Sequence, residues 1–295
     1  MQLVSREHKM KLLYDYYMKY VFIASAGFMT LIILTIIVFV GGQGFMTFKE
    51  VSPLEFFFSA KWDPMGMQYG ALSFITGSLA VTVLSILLGA PLGLAGAVFM
   101  AKIAPPWLSK IMRPATDLYV AIPSVVYGFV GLTIIVPFIR SYSGANMGFG
   151  LLAAAIILAV MILPTIVSIS EDALRAVPQS LEEASLALGA TRWQTIWKVL
   201  LPSALPGILT SIILAMARAV GETMAVQMVI GNTPQLVTSL FMPTATLPSE
   251  IVVEMGNTPF GSAWGNALFL MAFVLLVLSL LMILIIRRIA RKRVA

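Results

Sequence analysis

Residues 178–202 read PQSLEEASLALGATRWQTIWKVLLP, and the rest of the chain is organised around them. They form the one long polar stretch in the second half of a very apolar protein. Ser180 followed by Glu183 has the spacing of a capping box, in which each side chain satisfies the other residue's unpaired backbone N–H at a helix start. A helix is therefore expected from Leu181 to about Leu188, stopping at Gly189, which can take the left-handed conformation of a helix C-terminus. Thr191 followed by Gln194 predicts a second capping box and a second helix running towards Pro202. The expected unit is a solvent-facing hairpin of helix, glycine hinge, helix and proline stop. Physics alone allows two uses for it, an ordered loop or a docking element.

Composition sets the surroundings of that hairpin. Of 295 residues, 59% are hydrophobic and 11% charged, with mean hydropathy +0.96. A soluble domain averages about 25% charged residues, so the surface is not mainly water-facing. With no cysteine there is no disulfide framework and no thiolate metal site. The one histidine, His8, lies in a polar N-terminal tail and gives no sign of a metal or catalytic role. The first 19 residues are polar and the apolar run behind them lacks a small-residue cleavage site, so no cleavable signal peptide is expected.

Six apolar runs are long enough to cross roughly 30 Å of hydrocarbon. They span about Val21–Val40, Gly70–Met100, Leu118–Ile139, Phe149–Ile169, Ser203–Ile230 and Gly265–Ile286. Tyr14, Tyr16, Tyr17 and Tyr20 are expected to anchor the first at headgroup level. Gly89, Gly93 and Ala97 in the second run are four apart, as helices packing closely in lipid require. Asp117, at the start of the third, is expected to pair with Arg113 or to complement the helix dipole. The loop 231–264 has no Lys or Arg, and its prolines 234, 243, 248 and 259 argue against a long regular helix.

Charge then orients the spans. With six crossings both termini share a side. That side holds fifteen basic residues: Arg6, Lys9, Lys11, Lys19, Lys102, Lys110, Arg113, Arg175, Arg192, Lys198, Arg287, Arg288, Arg291, Lys292 and Arg293. The other side holds three, Lys49, Lys61 and Arg140. The positive-inside rule therefore predicts both termini and the polar hairpin in the cytoplasm. It also explains the net charge of +6 as a topology signal, with no nucleic-acid partner implied. The opposite loops carry Glu50, Glu55, Asp63, Glu250 and Glu254 against those three cations, so they make no anion funnel.

One cation is left over. Arg218 falls near the middle of the fifth run, in ARAVGETMAV, with Glu222 four residues on. On a continuous helix the two point to nearly one face. A charge at mid-bilayer costs about 2.5–3.5 kcal/mol on insertion scales, so the pair is expected to face away from lipid. Two readings stay open. Arg218 and Glu222 make a structural ion pair, or Arg218 meets an anion through charge-assisted hydrogen bonds while Glu222 holds it. Gly221 between them would allow close backbone approach.

Two sets of residues resemble known families. Glu183-Ala184-Ser185, three residues, Gly189, nine residues, then Val199-Leu200-Leu201-Pro202 resembles the EAA motif of ABC-importer permeases, with Ser185 and Val199 as conservative departures. That resemblance implies that Glu183, Ala184, Ser185 and Gly189 dock in a groove of an ATPase subunit. Arg218 to Val226 with Ile230-Gly231-Asn232-Thr233, and Ala121-Ile122-Pro123-Ser124-Val125-Val126-Tyr127-Gly128, resemble the phosphate-importer permease of the PstC type. The resemblance covers about residues 70–287. It implies an all-α polytopic membrane protein with six transmembrane helices and a type I ABC-importer permease architecture. Arg218, Gly221, Glu222 and Thr223 would then line the phosphate path.

The implied organisation places a tail, first helix and external loop in 1–69, the transmembrane domain in 70–287 and a basic cytoplasmic C-terminus in 288–295. Implied partners are a homologous PstA-type permease, two ATPase subunits, an external phosphate-binding protein, the lipid bilayer and inorganic phosphate. No G-x-x-x-x-G-K-[ST] loop is found, so ATP and Mg are expected on the ATPase chain and no cofactor on this one. The expected location is the cytoplasmic membrane of a prokaryote. A permease for molybdate, sulfate or phosphonate stays open at this point, as do an ion-coupled secondary transporter and a membrane scaffold.

Overall fold

Six helices in the computed structural model are long and apolar enough to cross a membrane: Tyr16–Lys49, Leu72–Ile103, Ser124–Ser143, Leu151–Arg175, Arg192–Gly221 and Ala263–Arg288. The structure describes residues 2–144 and 147–294, with side chains at 14, 16–144 and 147–288. His8, Arg6, Lys9, Lys11, Arg291, Lys292 and Arg293 therefore lie outside the described side chains. In chain order the elements are α1 (Gln2–Phe45), α2 (Pro53–Phe58) and a hairpin of β1 (Trp62–Asp63) and β2 (Gln68–Tyr69). Next come α3 (Leu72–Val98), α4 (Pro106–Val120), α5 (Ser124–Val130), α6 (Val136–Ser143) and α7 (Leu151–Arg175). Then follow α8 (Gln179–Ala187), α9 (Arg192–Thr195), α10 (Leu201–Gly221), α11 (Met224–Ile230), α12 (Leu247–Met255) and α13 (Ala263–Val294).

Wide π-helical turns, Phe99–Ile103, Gly131–Ile135 and Ile196–Leu200, extend α3, join α5 to α6 and join α9 to α10. Such turns shift the backbone hydrogen-bond register and free a carbonyl for another partner.

The centre is α7, packed between α3 and α10. Leu158, Ile162 and Ile166 are fully buried there with Val81, Ala215 and Ala219. The small-residue seam expected on the second span is what lets α3 approach. A Cβ on Gly93 would stand 2.7 Å from Ile166 Cγ2, and one on Gly89 3.2 Å from the Ala159 carbonyl. Without a water-driven hydrophobic effect between helices in lipid, this close contact is the cohesive term. By contrast α1 packs, among the described residues, mainly along α13, through Phe39 on Phe269 at 5.8 Å and Phe45 on Phe273 at 5.4 Å. From Val21 to Phe39 it is exposed and mostly apolar, as a lipid-facing helix requires.

A second core gathers on the side away from the termini, where Phe56, Trp62, Tyr69 and Phe74 pack against Leu247, Leu268 and Met271. The loop 231–264 contains a nine-residue helix, α12, opened by a Thr246–Ser249 capping box and tied to α3 by the Ser78 hydroxyl, which accepts from the Leu247 amide at 2.9 Å. The prolines exclude a long helix, and a short one begins where Pro248 sits in its first turn.

Two spans are broken where unbroken helices were expected. The third starts at Ser124, because Ala121, Ile122 and Pro123 interrupt the backbone and leave α4 as a separate helix. A residue before proline is pushed towards extended geometry, which ends α4 there. Asp117 is therefore in the last turn of α4, and Arg113 pairs with Asp172 of α7 instead of Asp117. The fifth span ends at Gly221, and Glu222 is extended, with φ −70° and ψ 124°.

Candidate substrate path and docking element

The break after Gly221 decides the geometry of the intramembrane charges. Because Glu222 leaves the helix, it and Arg218 do not share a helical face, contrary to the expectation from their spacing. The Glu222 backbone N–H donates to the Ala219 carbonyl at 3.3 Å, closing α10. Its carboxylate Oε1 accepts from the Ala225 amide at 3.2 Å, supplying one of the acceptors that the start of α11 lacks. Thr223 turns its hydroxyl back to the Gly221 carbonyl at 3.2 Å. A Cβ on Gly221 would meet nothing within 4 Å, so the backbone there opens onto free space.

Among the described residues the Arg218 guanidinium has neither an ion pair nor a hydrogen bond. Of the two open readings, the Arg218–Glu222 ion pair is therefore not formed. Arg218 is half-buried, and its charge acts on the Tyr127 phenol of α5. That phenol donates to the Tyr119 carbonyl at 2.6 Å, and the two rings meet edge-on with centroids 5.3 Å apart. Gly128, one residue on, lets α5 touch α11: a Cβ there would lie 3.0 Å from Ala225 Cα. The two stretches that carry the phosphate-permease resemblance, 121–128 and 218–226, thus lie against each other. Each is a break followed by a short helix, and the breaks flank one half-buried cation.

The polar hairpin folds as its end signals require, with two changes. First, the helix opened at Thr191 does not stop at Pro202 but runs through it into the fifth span, since Pro202 sits in the first turn of α10, where a missing N–H is tolerated. Gly189 is left-handed, φ +84°. Its amide donates to the Leu186 carbonyl and the Ala190 amide to that of Ser185, at 2.9 and 3.2 Å, a Schellman closure. Thr191 and Gln194 form the expected capping box, at 3.2 and 2.9 Å. The Ser180–Glu183 box does not form. Pro178, extended at ψ 132°, takes the N-cap position itself, so α8 starts two residues earlier than Ser180 predicts. Glu183 instead accepts from the Gln179 amide group at 2.9 Å.

The two halves are joined by the hydroxyls of Ser185 and Thr195 at 2.9 Å. No residue of α8, Ala184 included, is buried, and Leu188 at its tip is 89% exposed.

Three polar groups escaped the sequence reading. Arg175 donates through Nε to the buried Glu171 at 2.8 Å, and Lys102 meets Glu182 at 2.6 Å. On the far side, Glu254 accepts from the indoles of Trp62 and Trp264 at 3.0 and 2.7 Å, beside buried Glu250. Two of the three carry an i, i+4 signature, Glu171–Arg175 and Glu250–Glu254, that spacing alone could have raised. Among the described residues no group of three or more His, Cys, Asp or Glu is placed to hold a metal ion.

Residues 89–294 match the family described as binding-protein-dependent transport system inner membrane component. The chain belongs to that family. The permease is 52% identical over 262 residues to the probable ABC transporter permease protein YqgH of Bacillus subtilis (strain 168), covering 88% of this chain and 85% of that one. It is 31% identical over 303 residues to the phosphate transport system permease protein PstC of Xylella fastidiosa (strain 9a5c), covering 94% and 92%.

Among solved structures, a chain of the MetNI methionine ABC transporter in an inward-facing form superposes with a TM-score of 0.61 at 26% identity. That match covers 79% of the permease and 99% of the MetNI chain. A bacterial alginate ABC importer chain shares the fold, with a TM-score of 0.57 at 16% identity. The permease is thus a multi-span membrane subunit of type I ABC-importer architecture, a class that works with an ATPase and a substrate-binding protein.

Proposed function

We propose that the chain is the PstC-type permease subunit of an ATP-driven importer of inorganic phosphate. The observation that carries this reading is Arg218. It is a cation inside a span, half-buried and unpaired among the described residues, where stretches 121–128 and 218–226 meet. An unpartnered mid-membrane cation is costly to keep unless an anion visits it. The similarity to PstC proteins across nearly the whole length supports phosphate as that anion.

In this reading Arg218, Gly221, Glu222 and Thr223 border the path. Residues 178–202 dock on the ATPase through Glu183, Ala184, Ser185 and Gly189, with exposed Leu188 offering an apolar tip. Residues 70–287 form the transporting domain, preceded by a tail, helix and loop in 1–69 and followed by a basic tail in 288–295. The termini and the hairpin face the cytoplasm, ATP and Mg belong to the two ATPase subunits, a PstA-type permease completes the pore, and a phosphate-binding protein delivers substrate from outside.

A permease for another oxyanion is the second reading, because the 52% identical relative carries only a general permease name. Uptake of radiolabelled phosphate at micromolar concentration, in cells with and without this chain, separates the two. Loss on deletion that excess molybdate or sulfate does not mimic in intact cells supports phosphate. Unchanged phosphate uptake, in cells lacking other phosphate systems, overturns the substrate assignment and leaves the family standing.

A further inference from the structure

The docking reading raises a mechanical question. Helix α8 has no buried residue, so apolar packing does not fix it to the membrane domain. A cleft of about 400 Å³, lined by Ala101, Lys102, Arg175, Gln179, Glu182 and Glu183 among others, separates it from the spans. Apart from the short connection 176–178 to α7, displacement of α8 reaches the spans across this cleft through polar contacts.

One contact crosses it directly. Lys102 Nζ meets Glu182 Oε2 at 2.6 Å, with side chains 18% and 31% exposed. Lys102 sits in the π-helical turn Phe99–Ile103 that ends the second span. Glu182 is one residue from Glu183, on the turn of α8 that looks back to the membrane.

The end of the second span is itself built to take a load. The Met100 carbonyl accepts from Arg175 Nη2 at 3.1 Å and from the Ser109 hydroxyl at 3.2 Å, while Arg175 Nη2 also reaches Ser109 Oγ at 3.1 Å. Arg175 is fixed in turn by Glu171 at 2.8 Å. The π turn, α4 and the end of α7 are thus one polar cluster, and α3 behind it is wedged on α7 through Gly93 and Ile166.

We propose that the Lys102–Glu182 ion pair is the positioning link that carries movement of the docking helix into the second span. A half-buried pair suits this task, since it is screened less than an exposed one and holds direction as well as distance. A second polar tie of α8, Ser185 to Thr195, leads to α9 and the start of the fifth span. Glu182 and Lys102 thereby give α8 a direct polar route to the end of the second span, beside the apolar one in which Ile196, Leu200 and Ala204 of the hairpin's continuation share a core with Ala97 and Val98. This inference rests on the docking role proposed for residues 178–202.

The test uses the complete transporter in proteoliposomes, comparing wild type, Lys102→Met, Lys102→Glu and Lys102→Glu/Glu182→Lys. ATPase recovery on purification, ATP hydrolysis and phosphate uptake are measured together. The single variants should retain the ATPase subunit and hydrolyse ATP, while phosphate moved per ATP falls about tenfold. The double variant should restore most of that ratio, which a merely structural side chain would not do.

An unchanged ratio in both single variants overturns the link. So does a parallel loss of ATPase recovery and uptake that the charge swap leaves unrepaired, since that is a defect of assembly. Failure of the docking reading shows elsewhere, as normal ATPase recovery in a Glu183→Lys chain, and failure of the substrate reading as absent phosphate uptake in the wild type.

Discussion

Glu222 Oε1 accepts a hydrogen bond from the Ala225 amide at 3.2 Å. The glutamate is thereby committed to the start of α11, where it satisfies the backbone donor of the buried Ala225. Two substitutions separate this role from that of its charge. Glu222→Gln keeps an acceptor oxygen at the same reach and should leave thermal stability near wild type. Glu222→Ala removes it and should cost about 0.5–2 kcal/mol, the range for a lost helix cap. Thermal unfolding of the purified complex reads the difference, and equal destabilisation by both changes would show that the negative charge, not the cap, matters.

On the proposed reading, Glu222 being so engaged leaves Arg218 to meet an external anion. Charge-assisted hydrogen bonds contribute about 1.5–3 kcal/mol each, and each 1.4 kcal/mol is a factor of ten. Arg218→Ala should therefore lower phosphate uptake at limiting substrate by about ten- to a hundredfold while assembly with the ATPase is unchanged. Arg218→Lys should lie between, since a point charge replaces a planar fork. Wild-type uptake in Arg218→Ala would return this residue to a structural role.

Much of this arrangement could be read before the fold was known, and the misses share a cause. The six spans, the Gly89–Gly93 seam, the left-handed Gly189 and the Thr191–Gln194 box all follow from patterns within a few residues. The breaks at 121–123 and 222–223 fall in spans expected to be unbroken. Hydropathy runs straight through both; Pro123 marks the first in the sequence, while the second carries no such signal and leaves α11 packed on α5 through Gly128 and Ala225, residues far apart in sequence. The i, i+4 spacing of Arg218 and Glu222 presumes a continuous helix, so the expected shared face fell with the break. Arg113 chose Asp172 over Asp117 for the same reason, a partner supplied by another helix. The Ser180–Glu183 box failed more locally, because Pro178 already starts α8.

The far side carries a proton store with a definite pH signature. Burial, with the neighbouring Glu254 carboxylate adding to it, pushes the Glu250 carboxyl from its ordinary 4.5 up to about 8. Glu254 is held by the Trp62 and Trp264 indoles. Tyr69, itself shifted up by burial and by Glu50 and Glu254, faces the same cluster. The folded chain thus keeps a proton that the unfolded chain releases between those two values. Its contribution is complete below about pH 4.5 and is lost as pH rises through about 8. Unfolding of the detergent-solubilised complex from pH 5 to 9 should show a Tm that declines more steeply in wild type than in Glu250→Gln. Parallel declines would mean that Glu250 does not hold the proton.

Gly189 offers the sharpest test of the docking role proposed for the hairpin, because strain and clash can be told apart there. Its φ is +84°, yet a Cβ would meet nothing within 4 Å. Substitutions should therefore act only through the backbone, and their order follows from backbone preference. Asn tolerates the left-handed region, Ala pays about 1–2 kcal/mol for it, and Pro is barred by its fixed negative φ. Recovery of the ATPase subunit on purification should fall in the order Gly, Asn, Ala, Pro, with Gly189→Pro giving none. The Schellman bonds of Gly189 and Ala190 to Leu186 and Ser185 are what this series removes. Removing them swings α9 relative to α8 and misplaces Leu188. Full recovery with Gly189→Pro would mean that the ATPase does not read the shape of this turn, and the docking role of residues 178–202 would have to be given up.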